Sequence, residues 1–204
     1  MSQQREVVLS FDDGPHPENT PKLLDALASY GIKAVFFLIG RKLSTPSGKT
    51  ILKRITSEGH YIGNHTYTHP DLTRLAEAEI RDELARTAAL IGDADRGVKI
   101  FRPPFGYHNA LVDRVARELD YQMVFWNVDT CDWDPKFQPT RWVQHGLNQI
   151  RRRQDSFVLM HDVQATTVAN FNEFMTAIRA IPDLRLPMER KSIKTDGFCS
   201  VSSL

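Results

Sequence analysis

The sequence predicts an α/β protein whose parallel sheet closes into a barrel of about six or seven strands. Short apolar runs alternate with helical patterns along most of the 204 residues, which is typical of parallel strands joined by helical crossovers. The runs are apolar at successive positions, as expected for strands that are covered on both faces. Acidic, basic and histidine residues follow many of the runs, and a barrel places functional residues in this way at the ends of several strands.

The individual elements follow from hydrophobic periodicity and from the residues that begin and end helices. Strands are predicted at residues 7–11, 34–39, 61–63, 99–101, 123–128, 157–160 and, as a last short strand, 184–186. Helices are predicted at about 20–30, 49–58, 77–90, 110–119, 140–151 and 167–180. The first helix is expected to have Thr20 as its N-cap and Pro21 at the first helical position, and Gly31 is expected to end it.

The first predicted turn discriminates between two parallel architectures. A doubly wound open sheet usually binds phosphate groups at a glycine-rich first turn. Here the turn after the first strand contains Asp12, Asp13, Gly14 and Pro15, and its two carboxylates would repel a phosphate. Eight-stranded barrels typically need about 250 residues, so the length of this chain favours a barrel with fewer strands.

Composition narrows the class of protein and its partners. With 41% hydrophobic and 25% charged residues, we expect one globular domain over residues 1–204 with a core at about 5–187. The net charge of +1 offers no argument for a nucleic-acid or membrane partner, and no partner protein can be inferred. Because no apolar segment resembles a signal sequence or a membrane span, we expect a cytoplasmic protein, or a secreted one whose targeting segment has been removed. Cys131 and Cys199 are expected to be free thiols.

Two histidines and a carboxylate predict a metal site. His65 and His69 are four residues apart, a spacing that places both side chains on one face of a helical turn. Asp13 follows the first strand beside a second acid, Asp12, and adjacent carboxylates repel each other unless a cation or a difference in pKa accommodates them. Two histidines and one carboxylate with open positions are a recognised catalytic set for a divalent metal ion.

Other residues supply further parts of a hydrolytic site. Asp12 would lie beside the metal and could act as a general base toward water. His161, at the end of a predicted strand, could protonate a leaving group. Arg102 could hold Asp12 in its ionised form. The two prolines after Arg102 fix the backbone amide of Phe105, which could stabilise an oxyanion.

Five segments resemble, in the same order, the signature motifs of the polysaccharide deacetylase family (the NodB-homology domain, or carbohydrate esterase family four). They are residues 10–14 (SFDDG), 65–69 (HTYTH), 102–106 (RPPFG), 129–133 (DTCDW) and 159–162 (LMHD). Together they span residues 10–162, about three quarters of the chain. The resemblance implies a distorted, incomplete parallel (β/α) barrel that holds a divalent metal ion, usually Zn²⁺, for which Co²⁺ or similar ions can substitute.

The resemblance also implies a role for each motif residue. It implies that the metal ligands are Asp13, His65 and His69. It implies that Asp12 is the catalytic base and His161 the catalytic acid, with Arg102 orienting Asp12 and Asp132 orienting His161. It further implies that Trp133 and Leu159 wall the pocket for the acetyl methyl group, and that the Phe105 amide joins the oxyanion site.

Two positions depart from the family pattern. The third motif often has tyrosine where this chain has Phe105, so the backbone amide is retained but a hydroxyl contact to the sugar is lost. The fourth motif has Cys131 where an aliphatic residue is common. Cys131 is either a small apolar substitute or an extra or inhibitory metal ligand. Every residue that is expected to do chemistry is present.

The expected function is removal of acetyl groups from N-acetylated amino sugars of a peptidoglycan-type or chitin-type glycan. An O-deacetylase such as an acetylxylan esterase, or a cyclic-amide hydrolase, is the alternative on the same scaffold. Two further classes stay open: a non-haem iron oxygenase, which uses a similar ligand set, and a glycan-binding module without turnover. The oxygenases generally have antiparallel scaffolds, which the strand–helix alternation does not favour.

Overall fold

One parallel sheet, curled around a buried interior, organises the structure. The computed structural model describes residues 5–95, 97 and 99–186, so Pro187 of the predicted core and Cys199 lie outside the described residues. The strands are β1 (Arg5–Asp12), β2 (Val35–Leu38), β3 (Tyr61–Asn64), β4 (Ile100–Phe101), β5 (Gln122–Met123), β6 (Val128–Asp129), β7 (Asp155–His161) and β8 (Leu184–Arg185). The helices are α1 (Asn19–Tyr30), α2 (Gly40–Leu43), α3 (Pro46–Ser57), α4 (Glu77–Ile91), α5 (Ala110–Glu118), α6 (Arg141–Ile150) and α7 (Ala165–Arg179).

The strands lie in the order β5-β4-β3-β2-β1-β7-β6, and every pairing between them is parallel. The longest ladder joins β1 to β7, from Glu6 opposite Asp155 to Asp12 opposite His161. The short strand β8 pairs with the start of β1. Seven parallel strands therefore form a curled half-barrel, which confirms the α/β class and the distorted, incomplete barrel. Within the described part of the chain, no helix has the length and apolarity needed to cross a bilayer.

The prediction of a single strand at residues 123–128 is wrong. β5 pairs with β4 at one end of the sheet, and β6 pairs with β7 at the other end. Between them, the carbonyl oxygens of Val124 and Phe125 accept hydrogen bonds from the Arg102 guanidinium, at 3.0 Å from Nε and 3.2 Å from Nη2. One short run of chain therefore contacts both edges of the half-barrel.

The start of α1 also differs from the prediction. The helix begins at Asn19, and Thr20 does not cap it. The Thr20 hydroxyl instead accepts a hydrogen bond from the His16 amide at 2.7 Å and donates one to the Asp162 carboxylate. This side chain therefore ties the first turn of α1 to the residue after β7. Gly31 ends the helix in the left-handed conformation, with φ 67°, as predicted.

Alternation along the strands divides the side chains between two faces. The main core lies between the sheet and its helices and includes three alternate residues of β1: Val7, Leu9 and Phe11. A smaller cluster fills the inside of the curl and includes Val35 and Phe37 of β2. The inward positions at the carboxyl ends of β1 and β7 are held by Asp12 and His161, which are partners in register.

Gly63 of β3 is packed tightly against the inner cluster. A Cβ atom at this position would lie 2.4 Å from Cδ1 of Phe37 and 3.2 Å from Cγ1 of Ile100. Both neighbours are buried. The half-barrel therefore requires the smallest side chain at this point of β3.

Gly63→Ala is expected to lower the free energy of unfolding by about 1–3 kcal/mol, because the added methyl group overpacks the inner cluster. Urea unfolding followed by circular dichroism measures the change. A second variant, Gly63→Ala with Phe37→Leu, makes room for the methyl group and should be less destabilised than the sum of the two single changes. Additive losses would contradict the steric explanation.

Candidate active site

Three side chains from two loops meet at the carboxyl ends of the strands. Asp13 follows β1, and His65 and His69 follow β3. The Asp13 Oδ1 atom lies 3.4 Å from His65 Nε2 and 3.1 Å from His69 Nε2. One possible ligand atom from each of these three residues lies within 4.8 Å of the other two, so together they could bind a metal ion. Among residues 5–95, 97 and 99–186, no other group of His, Cys, Asp and Glu side chains converges in this way.

The donor atoms suit a divalent cation. His65 Nδ1 lies 2.7 Å from the Arg102 carbonyl oxygen, which only accepts, so Nδ1 carries a proton and Nε2, which faces Asp13, is the nitrogen that can bind a metal ion. Asp13 Oδ1 is buried, and none of its contacts has hydrogen-bond geometry. Burial would raise the pKa of Asp13, but the imidazoles of His65 and His69 bring it well below its usual range. Two imidazole nitrogens and a carboxylate oxygen are ligands that Zn²⁺ prefers.

The two histidines are brought together by a loop, and the prediction of a helical turn is wrong. Thr66 and His69 have left-handed backbones, with φ 65° and 67°. The Thr66 hydroxyl accepts a hydrogen bond from the His69 amide at 3.1 Å, and the rings of His65 and His69 lie 4.9 Å apart, centre to centre. Because side chains with a Cβ disfavour this conformation, the loop depends on its surroundings to hold it.

Asp12 lies beside these three residues and is held by Arg102. The fully buried guanidinium donates hydrogen bonds to Asp12 Oδ1 at 2.7 Å and to Ser10 Oγ at 2.9 Å. The other carboxylate oxygen, Oδ2, lies 3.7 Å from His65 Nε2. Burial lowers the pKa of Arg102, and the charge of Asp12 opposes this effect. The structure brings these two residues together as expected, while the catalytic role of Asp12 stays a prediction.

A second carboxylate holds His161. Asp132 Oδ1 lies 2.7 Å from His161 Nδ1, and Asp132 Oδ2 accepts hydrogen bonds from the His161 amide at 2.8 Å and the Thr167 hydroxyl at 2.6 Å. Burial would lower the pKa of His161, but the Asp132 carboxylate, with smaller contributions from Asp13 and Asp12, raises it to about 9. The raised pKa favours the imidazolium form of His161, in which Nε2 can donate a proton.

The sequence of this chain is similar to that of a known protein family. The family model described as polysaccharide deacetylase matches residues 2–124, which is more than half of the chain. The chain belongs to this family.

The relatives of this chain differ in length and in activity. A peptidoglycan-N-acetylglucosamine deacetylase from Bacillus cereus is 44% identical over 131 residues, which make up 63% of this chain and 46% of that protein. A family 4 carbohydrate esterase from Streptomyces lividans, solved in complex with acetate, is 31% identical with a TM-score of 0.78, covering 89% of this chain and 91% of that one. A pseudoenzyme of the same esterase family from Bacillus anthracis is 30% identical with a TM-score of 0.76, covering 86% of this chain and 61% of that one. The chain spans 36–46% of the length of the first curated relatives that it matches.

Exposed aromatic side chains occupy the loops that follow β4 and β6 at this end of the half-barrel. Phe105, Tyr107 and Trp133 are about half exposed. Phe105 has a left-handed backbone with φ 61°, and its ring centre lies 4.7 Å from that of His69. Leu159 is buried in β7, two residues before His161. Contacts of these residues with an acetyl group or a sugar stay predictions.

Cys131 lies near the site but is not one of the three converging ligands. Its amide donates a hydrogen bond to Asp129 Oδ1 at 2.8 Å. Burial and the neighbouring Asp129 raise the pKa of the thiol to about 12. Because the thiolate is the form that binds metal ions, this favours the interpretation of Cys131 as a small apolar substitute.

Sequence reasoning missed several residues that support the site from behind. The Ser10 hydroxyl donates to the Val158 carbonyl at 2.8 Å while accepting from Arg102. The Asn64 Oδ1 atom accepts from the Thr66 amide at 2.8 Å. Ser10 and Asn64 could have been suspected because they lie in or beside a motif. Thr167 carries no such signal, because its contact with Asp132 joins positions 35 residues apart.

Asp132→Asn is expected to lower the pKa of His161, because burial then acts without the opposing carboxylate. The imidazole signals of the metal-free protein, followed by NMR from pH 5 to 10, measure this, and a His161→Gln variant assigns them. Asp134→Asn is the matched control, since it removes the same charge two residues away. An unchanged His161 pKa in Asp132→Asn would contradict the proposed origin of the shift.

Proposed function

We propose that this chain is a metal-dependent deacetylase, which hydrolyses the acetamido group of N-acetylated amino sugars in a peptidoglycan-type or chitin-type glycan and releases acetate. One observation carries the proposal: three candidate metal ligands converge at one end of the half-barrel. At the same end, Arg102 orients the Asp12 carboxylate and Asp132 orients the His161 imidazole. Membership of the polysaccharide deacetylase family and similarity to a peptidoglycan deacetylase support the choice of an acetylated glycan.

Asp13, His65 and His69 are the proposed ligands of a divalent cation, with Zn²⁺ as the first candidate and Co²⁺ as a substitute. When bound, the cation polarises the acetyl carbonyl and lowers the pKa of water beside it. Asp12 takes the proton of the attacking water through Oδ2. Arg102 fixes the carboxylate through Oδ1, so Oδ2 stays directed toward the candidate ligands.

His161 supplies the proton that cleavage of an amide requires. The amide nitrogen leaves poorly unless it is protonated as the C–N bond breaks. Asp132 keeps His161 positively charged and oriented through Nδ1, so His161 Nε2 donates to the sugar nitrogen. The carbonyl carbon gains the water oxygen and leaves as acetate, and the sugar keeps a free amine.

The remaining motif residues are assigned to the shape and polarity of the pocket. Leu159 and Trp133 are proposed to enclose the acetyl methyl group, because one is buried beside His161 in β7 and the other directly follows Asp132. The Phe105 amide is proposed to stabilise the oxyanion, since the turn places Phe105 next to His69. The Phe105 ring itself offers no hydroxyl group to a sugar.

Other hydrolytic reactions would use the same residues. An acetylxylan O-deacetylase or a cyclic-amide hydrolase also needs an activated water and a proton donor. Because this esterase family includes a pseudoenzyme of the same fold, binding without turnover is a further outcome that the experiments distinguish. An iron oxygenase shares the ligand types, and in such an enzyme substrate oxidation would depend on dioxygen.

Acetate release is expected from N-acetylglucosamine oligomers or peptidoglycan when the metal site is filled. The panel also contains acetylated xylan and allantoin, and the metal content is measured on the same sample. Chelation should abolish acetate release, and Zn²⁺ or Co²⁺ should restore it. Release from xylan alone would establish an O-deacetylase, and ring opening of allantoin a cyclic-amide hydrolase. With metal bound, no release from any acetylated glycan would contradict the proposal.

Asp12→Asn is expected to lower kcat by about 100-fold or more, because the attacking water loses its proton acceptor. Metal affinity, measured by isothermal titration calorimetry, should change by only a few fold, since Asp12 is not among the three candidate ligands. Asp25→Asn, a change at an exposed ion pair with Arg54, is the control and should keep full activity. Full activity in Asp12→Asn would exclude Asp12 as the base.

A further inference from the structure

Glu83 is a buried acid on a helix that does not contribute any proposed ligand or catalytic group. It lies on the inward face of α4 with Ile80, Leu84 and Ile91, which are apolar. Acidic side chains are almost never fully buried unless they are paired. Its partners therefore indicate why an acid occupies this position.

Within the described part of the chain, the hydrogen bonds that the Glu83 carboxylate accepts come from the loop between the two histidines. Oε2 accepts hydrogen bonds from the backbone amides of Tyr67 and Thr68, both at 2.7 Å. Oε1 accepts one from the Thr68 hydroxyl, also at 2.7 Å. Bonds of this kind to an ionised acceptor are roughly twice as strong as neutral ones.

A second contact joins the same loop to the same helix. Asn64 accepts from the Thr66 amide through Oδ1 and donates through Nδ2 to the Leu84 carbonyl of α4, at 2.8 Å and 2.9 Å. From the other side, the Gly40 amide at the start of α2 donates to the Thr66 carbonyl at 2.9 Å. The loop is thus held between two helices, and the Glu83 carboxylate binds its middle.

We propose that Glu83 is a positioning residue that holds residues 65–69 in the conformation in which His65 and His69 can bind one metal ion. The inference rests on the proposed metal site. Thr66 and His69 are both left-handed, so the loop has a conformation that its residues disfavour in isolation. The three hydrogen bonds to Glu83 offset this preference and keep the two imidazoles close.

Two substitutions separate this role from simple loss of a charge. Glu83→Ala leaves two backbone amides and a hydroxyl without their acceptor, so the loop can relax and the ligands can move apart. Glu83→Gln keeps a carbonyl oxygen for the two amides, and its NH₂ group can donate to the Thr68 hydroxyl. Glu77→Ala, on the same helix but in an exposed ion-pair network with Arg81 and Arg114, is the matched control.

The test measures Co²⁺ binding to the metal-free full chain by calorimetry and by the visible spectrum of the bound ion, below the lowest Tm of the variants. Glu83→Ala is expected to raise the Kd by about 10–100-fold, as for other residues that orient metal ligands, and to alter the Co²⁺ spectrum. Glu83→Gln should stay within a few fold of the wild type, and Glu77→Ala should bind as the wild type does.

The outcomes distinguish this inference from the proposed function. If the wild type binds Co²⁺ and Glu83→Ala binds it with the same Kd and spectrum, the positioning role is overturned and the metal site stands. A lower Tm with unchanged binding would also overturn it, because that is the result of a purely structural role. If the wild type binds no metal ion, both proposals fail. Should Glu83→Ala not fold, Glu83→Asp replaces it, and wild-type affinity in that shortened acid would overturn the inference.

Discussion

A fully buried guanidinium joins the half-barrel to its candidate site. Arg102 donates to Asp12 in β1 and to two carbonyl oxygens in the run between β5 and β6, and its Cζ lies 4.0 Å from the centre of the Phe37 ring. A buried cation is stable only when it is paired and its donors are satisfied. The same hydrogen bonds therefore hold the chain across the edges of the sheet and set the position of Asp12 beside the candidate ligands.

The alternation of side chains along the strands, together with the register of the paired strands, explains why the functional side chains share one end of the half-barrel. Side chains alternate between faces along a strand, and paired residues of parallel strands face the same side. Asp12 and His161 are partners in the ladder between β1 and β7, so both face inward. The residue after each of β3 and β4 is His65 and Arg102, respectively. Polar side chains from four strand ends thus meet above an apolar interior.

Similarity of fold alone does not separate active from inactive members of this family. The acetate-bound esterase and the pseudoenzyme have nearly equal TM-scores with this chain, 0.78 and 0.76. Function depends on the groups at the site and on their geometry. Here the Arg102–Asp12 and Asp132–His161 pairs, together with the three converging ligands, support the proposed enzyme. The inferred role of Glu83 adds the loop that carries two of these ligands.

By itself the sequence determined the α/β class, most elements and the identity of the candidate site residues, because periodicity and short motifs are local properties. Only the tertiary structure decided how two segments bend. Residues 124–127 interrupt the predicted strand, and the carbonyl oxygens of Val124 and Phe125 accept hydrogen bonds from Arg102, 22 and 23 positions away. The loop from His65 to His69 has two left-handed residues. Its Tyr67 and Thr68 amides donate hydrogen bonds to Glu83, which lies 16 and 15 positions further along the chain. Such contacts join residues far apart in the chain, and neither periodicity nor spacing records them.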